Sequence, residues 1–275
     1  MLELPEANVF SKQLAQAVGG KTIVRVSTNQ SPHKFAFFSG DPATYHDRLA
    51  GRKVERVEAL AGQIEWHLED MRLVLSDGAF IRYYPAGDPG PSKHQLCIEF
   101  NDSSRIICTV QMYAMMWTFP SGQFDNPYYL AAKGKPNPLT DAFDTDYFDG
   151  IVASAKPNLS AKALLATEQR IPGLGYGVLQ DILFNARINP RSKIGAFSSD
   201  EKAALFTSVK GTLAEMTVRG GRDTEKDIFG RDGGYTTILS SKTFGRPCPV
   251  CEGTIIKQAY LGGSVYFCPN CQPEL

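Results

Sequence analysis

The spacing of apolar residues along the chain changes period once. Residues 21 to about 118 hold a succession of short stretches, KTIVRVS, KFAFFSG, GQIEWHL, MRLVLS, AFIRYY, HQLCIEF and RIICTVQM, several of which alternate apolar and polar positions. A period of two puts alternate side chains on opposite faces of a strand, so these stretches predict a β-sandwich or barrel. A helix is predicted ahead of them: Val9, Phe10, Leu14, Ala17 and Val18 form an apolar stripe, Pro5 and Glu6 suit a first turn, and Gly19-Gly20 supplies a stop. Pro120, Gly122, Pro127, Gly134, Pro136 and Pro138 then break any period, which reads as an interdomain linker. From Asp141 the period is helical up to a cysteine-rich end. The pattern predicts an α+β chain with an N-terminal β-sandwich and its leading helix over 1–118, a linker over 119–140, a helical domain over 141–245 and a small terminal module over 246–275.

Composition narrows the class without naming a function. The 275 residues carry 29 basic and 29 acidic side chains, and 43% are hydrophobic, which excludes collagen-like, disordered and coiled-coil proteins. The longest apolar runs are a few residues, and MLELPEANVF has acids where a signal peptide needs basic and then apolar residues. The expectation is a monomeric cytoplasmic protein with no membrane partner. Zero net charge excludes a uniformly basic surface, yet Lys156 to Arg222 holds ten Lys or Arg against five Asp or Glu. Positive charge therefore concentrates in the helical region, as in nucleic-acid binding, although a solvated helical face gives the same count.

Four of the six cysteines change the picture. Cys248 and Cys251 form one C-x-x-C, Cys268 and Cys271 a second, and 16 residues separate the pairs. That spacing is a four-thiolate zinc ribbon in which TIIKQAYLGGSVYF makes a hairpin turning at Gly262-Gly263. Four thiolates leave no open coordination position, so one structural Zn2+ is expected. Two disulfides are the alternative, and they suit a chain with an export signal. Cys97 and Cys108 lie in strand-like runs and read as small core residues, while His33, His46, His67 and His94 share no metal-ligand spacing.

The segment AKALLATEQRIPGLGYGVLQDILFNARINP predicts a helix from Ala161 to Gln169, a tight turn through Gly173 and Gly175, and a second helix from Tyr176 to Ala186. Glycines in such a turn let backbone N–H groups at the second helix's start approach a phosphate. At the other end of the chain, Glu3 and Glu6 flank the start of the first helix, where acids also simply complement the helix dipole.

ELPE at Glu3 to Glu6, the glycine-turn segment and FGRPCPVC with YFCPNCQ, in this order, resemble the formamidopyrimidine-DNA glycosylase and endonuclease VIII family of base-excision enzymes over nearly the whole chain. The resemblance implies a β-sandwich with its leading helix and a helical helix-two-turn-helix domain ending in a zinc finger, with damaged double-stranded DNA bound in the cleft between. It implies that Glu3 assists sugar ring opening and proton transfer, and that an exposed N-terminal proline amine is the nucleophile that gives a Schiff base and strand cleavage. Here Leu2 stands in that proline's place. A bulky second residue blocks removal of the initiator Met, so the amine is expected on Met1, one residue beyond its family position. Lys162 matches a lysine of the DNA-binding element, whereas Tyr176 replaces a phosphate-contacting Asn, Gly263 replaces a zinc-finger Arg, and Gln63 stands where the family has a lysine. No clear counterparts exist for the Met, Arg and Phe that fill the void left by an extruded base. Tyr83, Tyr84, Met115, Met116 and Trp117 are candidates for a wedge and equally for the core. FGRDGGY lies where the family carries a base-capping loop, which makes Arg231 and Tyr235 candidate contacts, and a plain exposed loop fits as well.

The expected catalytic set is Glu3, Met1 and Glu6, and the expected DNA-binding set is Lys162, Gly173, Gly175, Tyr176, Arg231 and Tyr235. The expected function is a DNA glycosylase that flips and excises a damaged base, with weak or absent lyase activity. The alternative is a catalytically inactive lesion-binding protein of the same fold. A zinc-ribbon transcription or RNA factor would leave the N-terminal signature unexplained.

Overall fold

The computed structural model describes residues 2–274 and divides into two compact units. The first comprises the residues up to Lys133 together with Glu225–Gly233, and the second comprises Gly134–Thr224 and the chain from Gly234 onward.

The first unit opens with α1 (Leu4–Val18), which buries Leu4, Ala7, Phe10, Leu14 and Val18 and stops at Gly19-Gly20. Strands β1 (Ile23–Thr28), β2 (Ala36–Phe38), β3 (Arg56–Leu60), β4 (Gln63–Leu68), β5 (Met71–Tyr84), β6 (Leu96–Phe100) and β7 (Arg105–Pro120) form one sheet in the order β1-β6-β7-β5-β4-β3, with β2 parallel beside β7. The short helices α2 (Tyr45–Leu49) and α3 (Pro127–Gly134) complete the elements. Trp66 on β4 stacks on Phe100 of β6 with ring centroids 6.5 Å apart. Two strands separate β4 from β6 in the sheet, so a flat sheet would hold those positions about 14 Å apart. The sheet therefore folds over on itself, and the expected sandwich core lies between its halves, with Leu14 and Val18 of α1 packed into it.

The structure differs from the apolar pattern where that pattern gives MRLVLS and AFIRYY as two separate stretches. MRLVLS and AFIRYY are one strand, β5, interrupted only by a bulge against β7. Asp77 faces Ala114 and Ala79 faces Val110, which leaves Gln111, Met112 and Tyr113 of β7 opposite Gly78. The backbone is held tightly there: Asp77 is left-handed at φ 56°, and a Cβ on Gly78 would lie 2.5 Å from the Tyr113 carbonyl oxygen. β7 continues through YAMMWTF, so Met116 and Trp117 are core residues and no wedge, whereas Met112 is 64% exposed on the bulge. β3 was not apparent from alternation because only Val57 of its five residues is buried.

Residues Glu225–Gly233 return to the first unit as an inserted loop. Ile228 is fully buried in the sandwich core, and its carbonyl accepts the Tyr83 N–H at 2.8 Å. Gln13 of α1 donates through Nε2 to Asp227 Oδ2 at 2.9 Å.

The second unit contains α4 (Thr145–Ser154), α5 (Ala161–Ala166), α6 (Val178–Asn185), α7 (Ser199–Val218) and the hairpin β8 (Ile256–Tyr260) and β9 (Gly263–Phe267). Side chains of Asp144, Ser160 and Ser198 cap α4, α5 and α7. Helix α5 ends at Ala166, short of the expected Gln169, because Glu168 and Gln169 are left-handed at φ 57° and 49°. Helix α6 begins at Val178, two residues after the expected start.

Asp181 on α6 ties the helical part to the segment leading into the hairpin. Its carboxylate accepts the N–H groups of Ile238 at 2.9 Å and Leu239 at 2.7 Å, together with the Tyr235 hydroxyl. Burial outweighs these donors and pushes its pKa up to about 6. Asp181→Ala would strand three donors inside the unit, and the expected loss is roughly 2–4 kcal/mol of stability, read from urea unfolding at neutral pH.

Candidate functional site

The start of the chain is anchored on the β5 bulge. The Leu2 N–H donates to the Asp77 carbonyl oxygen at 2.7 Å, and the Leu2 side chain joins the sandwich core at 6% exposure. Glu3 then forms the extended N-cap of α1 and Glu6 lies in its first turn. Both are buried, at 3% and 1% exposure, and both have partners. Acids that merely complement a helix dipole sit in solvent; two buried carboxyls in one turn are a different matter. Met1 lies outside the described residues. Leu2, Glu6 and Gly78 line a small crevice with Arg82, Glu225 and Lys226.

In the second unit, Lys162, Tyr176 and Gly263 meet. Lys162 is fully buried; its ammonium donates to the Tyr260 carbonyl and, at 3.4 Å, to that of Leu261, and it lies 4.1 Å from the centroid of the Tyr176 ring. Burial lowers its pKa. The Tyr176 hydroxyl also donates to Leu261 O, at 3.2 Å. The two-residue hairpin turn is Leu261-Gly262, with φ 46° and 73°, one residue earlier than expected; Gly263 pairs with Tyr260 as the first residue of β9. A Cβ on Gly263 would come within 3.0 Å of the Tyr176 ring. Lys162 is thus spent on the hairpin tip and does not present its charge at a surface. Gly173 keeps the left-handed conformation, φ 79°, that the turn ahead of α6 requires.

The four cysteines at the hairpin's other end converge. Cys251 and Cys268 have sulfurs 3.4 Å apart, Cys248 and Cys271 3.8 Å apart, and all four lie within 4.8 Å of one another. A tetrahedral thiolate site with metal–sulfur bonds of about 2.3 Å needs sulfurs about 3.8 Å apart, and a disulfide needs about 2.05 Å. The donor set fits a metal ion. Cys248 and Cys268 pack with Phe184, Leu239 and Ile255 in a small core of their own.

The remaining candidates separate. Arg231 is exposed, doubly bonded to Asp227 at 2.8 and 2.9 Å and stacked over Phe229. Tyr235 lies inside the second unit with its hydroxyl on Asp181, so it offers no ring for stacking on a base. His67 sits 2.7 Å from Glu58 and 3.4 Å from Glu65, with the Arg56 guanidinium 3.1 Å from the same nitrogen. The same guanidinium pairs with Glu58 at 2.9 Å, so the cluster is already engaged in an ion-pair network. Asp77, which accepts the Leu2 N–H, carries no signal in the sequence beyond its position before a glycine.

Residues 1–109 match the formamidopyrimidine-DNA glycosylase N-terminal domain family. The formamidopyrimidine-DNA glycosylase of Geobacter sulfurreducens is 29% identical over 282 residues, which cover 99% of this chain and 100% of that protein. The MutM (Fpg) protein of Thermus thermophilus superposes with a TM-score of 0.82 at 24% identity over 99% of each chain. The Lactococcus lactis Fpg in complex with DNA containing an abasic site superposes with a TM-score of 0.85 at 20% identity, covering 99% of this chain and 100% of that one. The first 109 residues thus match the N-terminal domain of the formamidopyrimidine-DNA glycosylases, and the chain is similar to those proteins along its whole length.

The contact between Gly263 and Tyr176 is testable by a double-mutant cycle. Gly263→Val should cost about 1–3 kcal/mol by overpacking, although valine favours strands. With Tyr176→Ala in the same chain, much of that loss should disappear, a coupling of at least about 1 kcal/mol in urea unfolding. Additive losses would mean that the ring and the hairpin do not touch.

Proposed function

We propose that this protein excises damaged bases from double-stranded DNA, breaking the N-glycosidic bond by hydrolysis with little strand scission. The observation that carries this reading is the pair of buried carboxyls, Glu3 and Glu6, beside a residue-2 nitrogen already committed to the Asp77 carbonyl. Glu3 serves as the general base for the attacking water, and Glu6 shapes the helix start that holds it. Residual lyase activity would run through the Met1 amine. The family relatives are named as glycosylases and match this chain along its whole length, and the Lactococcus lactis neighbour was captured on DNA.

The second unit supplies the grip on DNA. The turn at Gly173 and Gly175 brings backbone to a phosphate, and half-buried Tyr176 flanks it. Lys162 acts indirectly, by fixing the hairpin tip, and Arg231 is the exposed cation of the returning loop. One Zn2+ per chain on Cys248, Cys251, Cys268 and Cys271 closes the hairpin's base and leaves no coordination position for substrate. No helix among the described residues is long and apolar enough to cross a membrane; the reading places the protein with cytoplasmic DNA.

Two experiments test this reading. On duplexes carrying oxidised or alkylated bases, Glu3→Gln should slow single-turnover base release by at least about 100-fold while duplex affinity stays close to the parent's, and borohydride trapping of the parent should be weak relative to base release. Glu3→Gln working as fast as the parent, or efficient trapping, would overturn the hydrolytic role. Metal analysis of reduced protein should find one zinc per chain, and chelation should unfold the hairpin and weaken DNA binding; well under one zinc per chain would remove the ion from the account.

A further inference from the structure

We propose that Asp77 is a second catalytic carboxyl of this site, the acid that protonates the departing base while Glu3 activates the water. The inference rests on the glycosylase reading above and names a residue that the reading does not use.

Asp77 occupies a left-handed conformation, φ 56°, that L-residues seldom adopt, on a bulge where its neighbour Gly78 has no room for a Cβ. Backbone strain of this kind persists only where surrounding structure enforces it. The bulge against β7 supplies that enforcement, and the Asp77 carbonyl it presents accepts the Leu2 N–H, which puts this residue next to the helix turn that carries Glu3. Its carboxyl is held by neutral hydroxyls on both oxygens. Ser76 Oγ donates to Oδ2 at 2.8 Å and the Tyr128 hydroxyl donates to Oδ1 at 3.1 Å. Gln63 faces Ser76 across β4 and β5; it is buried, and its Oε1 has no hydrogen-bond partner. The site thus holds an unsatisfied acceptor as well as an acid.

The titratable groups on the surrounding elements are Tyr128 on α3, Tyr113 on β7, Glu3 and Glu6 on α1, Arg82 on β5 and Glu225 and Lys226 on the returning loop. None of the charged ones contributes to the Asp77 shift: burial raises its pKa, and the Ser76 and Tyr128 hydroxyls oppose that rise. Burial without a cationic partner lets a carboxyl keep its proton to higher pH than it would in water, and such a carboxyl can give the proton up to a leaving group.

The step balances as follows. Glu3 takes a proton from water, and the water oxygen bonds to the sugar's anomeric carbon. The bond from that carbon to the base nitrogen breaks, its electron pair goes to the base, and the base takes the Asp77 proton. The proton held by Glu3 returns Asp77 to its acid form through solvent, so the net reaction is hydrolysis.

The test uses the full chain under single-turnover conditions. Asp77→Asn keeps the side-chain shape, and asparagine tolerates the left-handed conformation. It should slow excision of a neutral oxidised base by about 100-fold and remove the high-pH fall of the rate profile. On N7-methylguanine, which leaves without needing a proton because it already carries positive charge, the loss should be under about tenfold. Because the acid form is the working form, the rate falls as pH rises through the Asp77 pKa. Ser76→Ala and Tyr128→Phe each remove a donor to the ionised form, so each should move that fall to higher pH. A purely structural role would produce neither the charge dependence on the leaving base nor that direction of shift. If the parent excises a base and Asp77→Asn does so equally fast, or loses equally on charged and neutral bases, the role of Asp77 falls and the glycosylase reading stands. If the parent excises nothing, both fall.

Discussion

One hydrogen bond, from the Leu2 N–H to the Asp77 carbonyl, determines what the N-terminal unit can do. It joins Leu2 to the middle of β5, in the longest strand pairing of the sheet, so α1 starts against the sheet and its first turn has no freedom to swing into solvent. Glu3 and Glu6 are buried as a result. Carboxylates removed from water cost several kcal/mol unless partners and the helix dipole compensate, and a fold accepts that arrangement where the position of the acids matters. The acceptor carbonyl is itself aimed by the bulge, which depends on the left-handed Asp77, on a neighbour without a side chain and on two extra residues of β7.

The second unit solves a comparable problem with a cation. Leu261 turns left-handed at the hairpin tip, a conformation that costs a non-glycine residue roughly 1–2 kcal/mol. The tip carbonyls are held by the Lys162 ammonium and by the Tyr176 hydroxyl, while the ammonium spreads its charge over the Tyr176 ring. The hairpin is fixed at its tip by charge and at its base by sulfur. Tyr176 and Gly263 are physically coupled: the ring takes up the space next to β9, within 3.0 Å of where a Cβ at position 263 would stand.

Local signals in the sequence were legible where short-range physics decides the outcome. The apolar stripe of α1 and its glycine stop, the two C-x-x-C pairs and the order of most strands follow from spacing alone, because each involves neighbours a few residues apart. What escaped was set by tertiary contact. Ser76-Asp77-Gly78 has turn chemistry, and only pairing with β7 keeps the strand going through it. β3 has a single buried residue and so no alternation to detect. Lys162 reads as a phosphate ligand until the hairpin tip is seen to consume its charge, and Tyr235 reads as a loop aromatic until Asp181 is found to hold it inside.

The return of Glu225–Gly233 to the first unit sets the order in which the protein can mature during synthesis. Ile228 is fully enclosed in the sandwich core, a contribution of about 1.5–3 kcal/mol for a side chain of that type. The ribosome makes the sheet and α1 first, but that core stays incomplete until helices α4 to α7 have been translated. A sandwich released early has an uncovered position where Ile228 belongs and an unpaired Tyr83 N–H on its long strand. The nascent N-terminal half therefore lacks, on synthesis, a piece of its core that is made about ninety residues after it, the length of Gly134–Thr224.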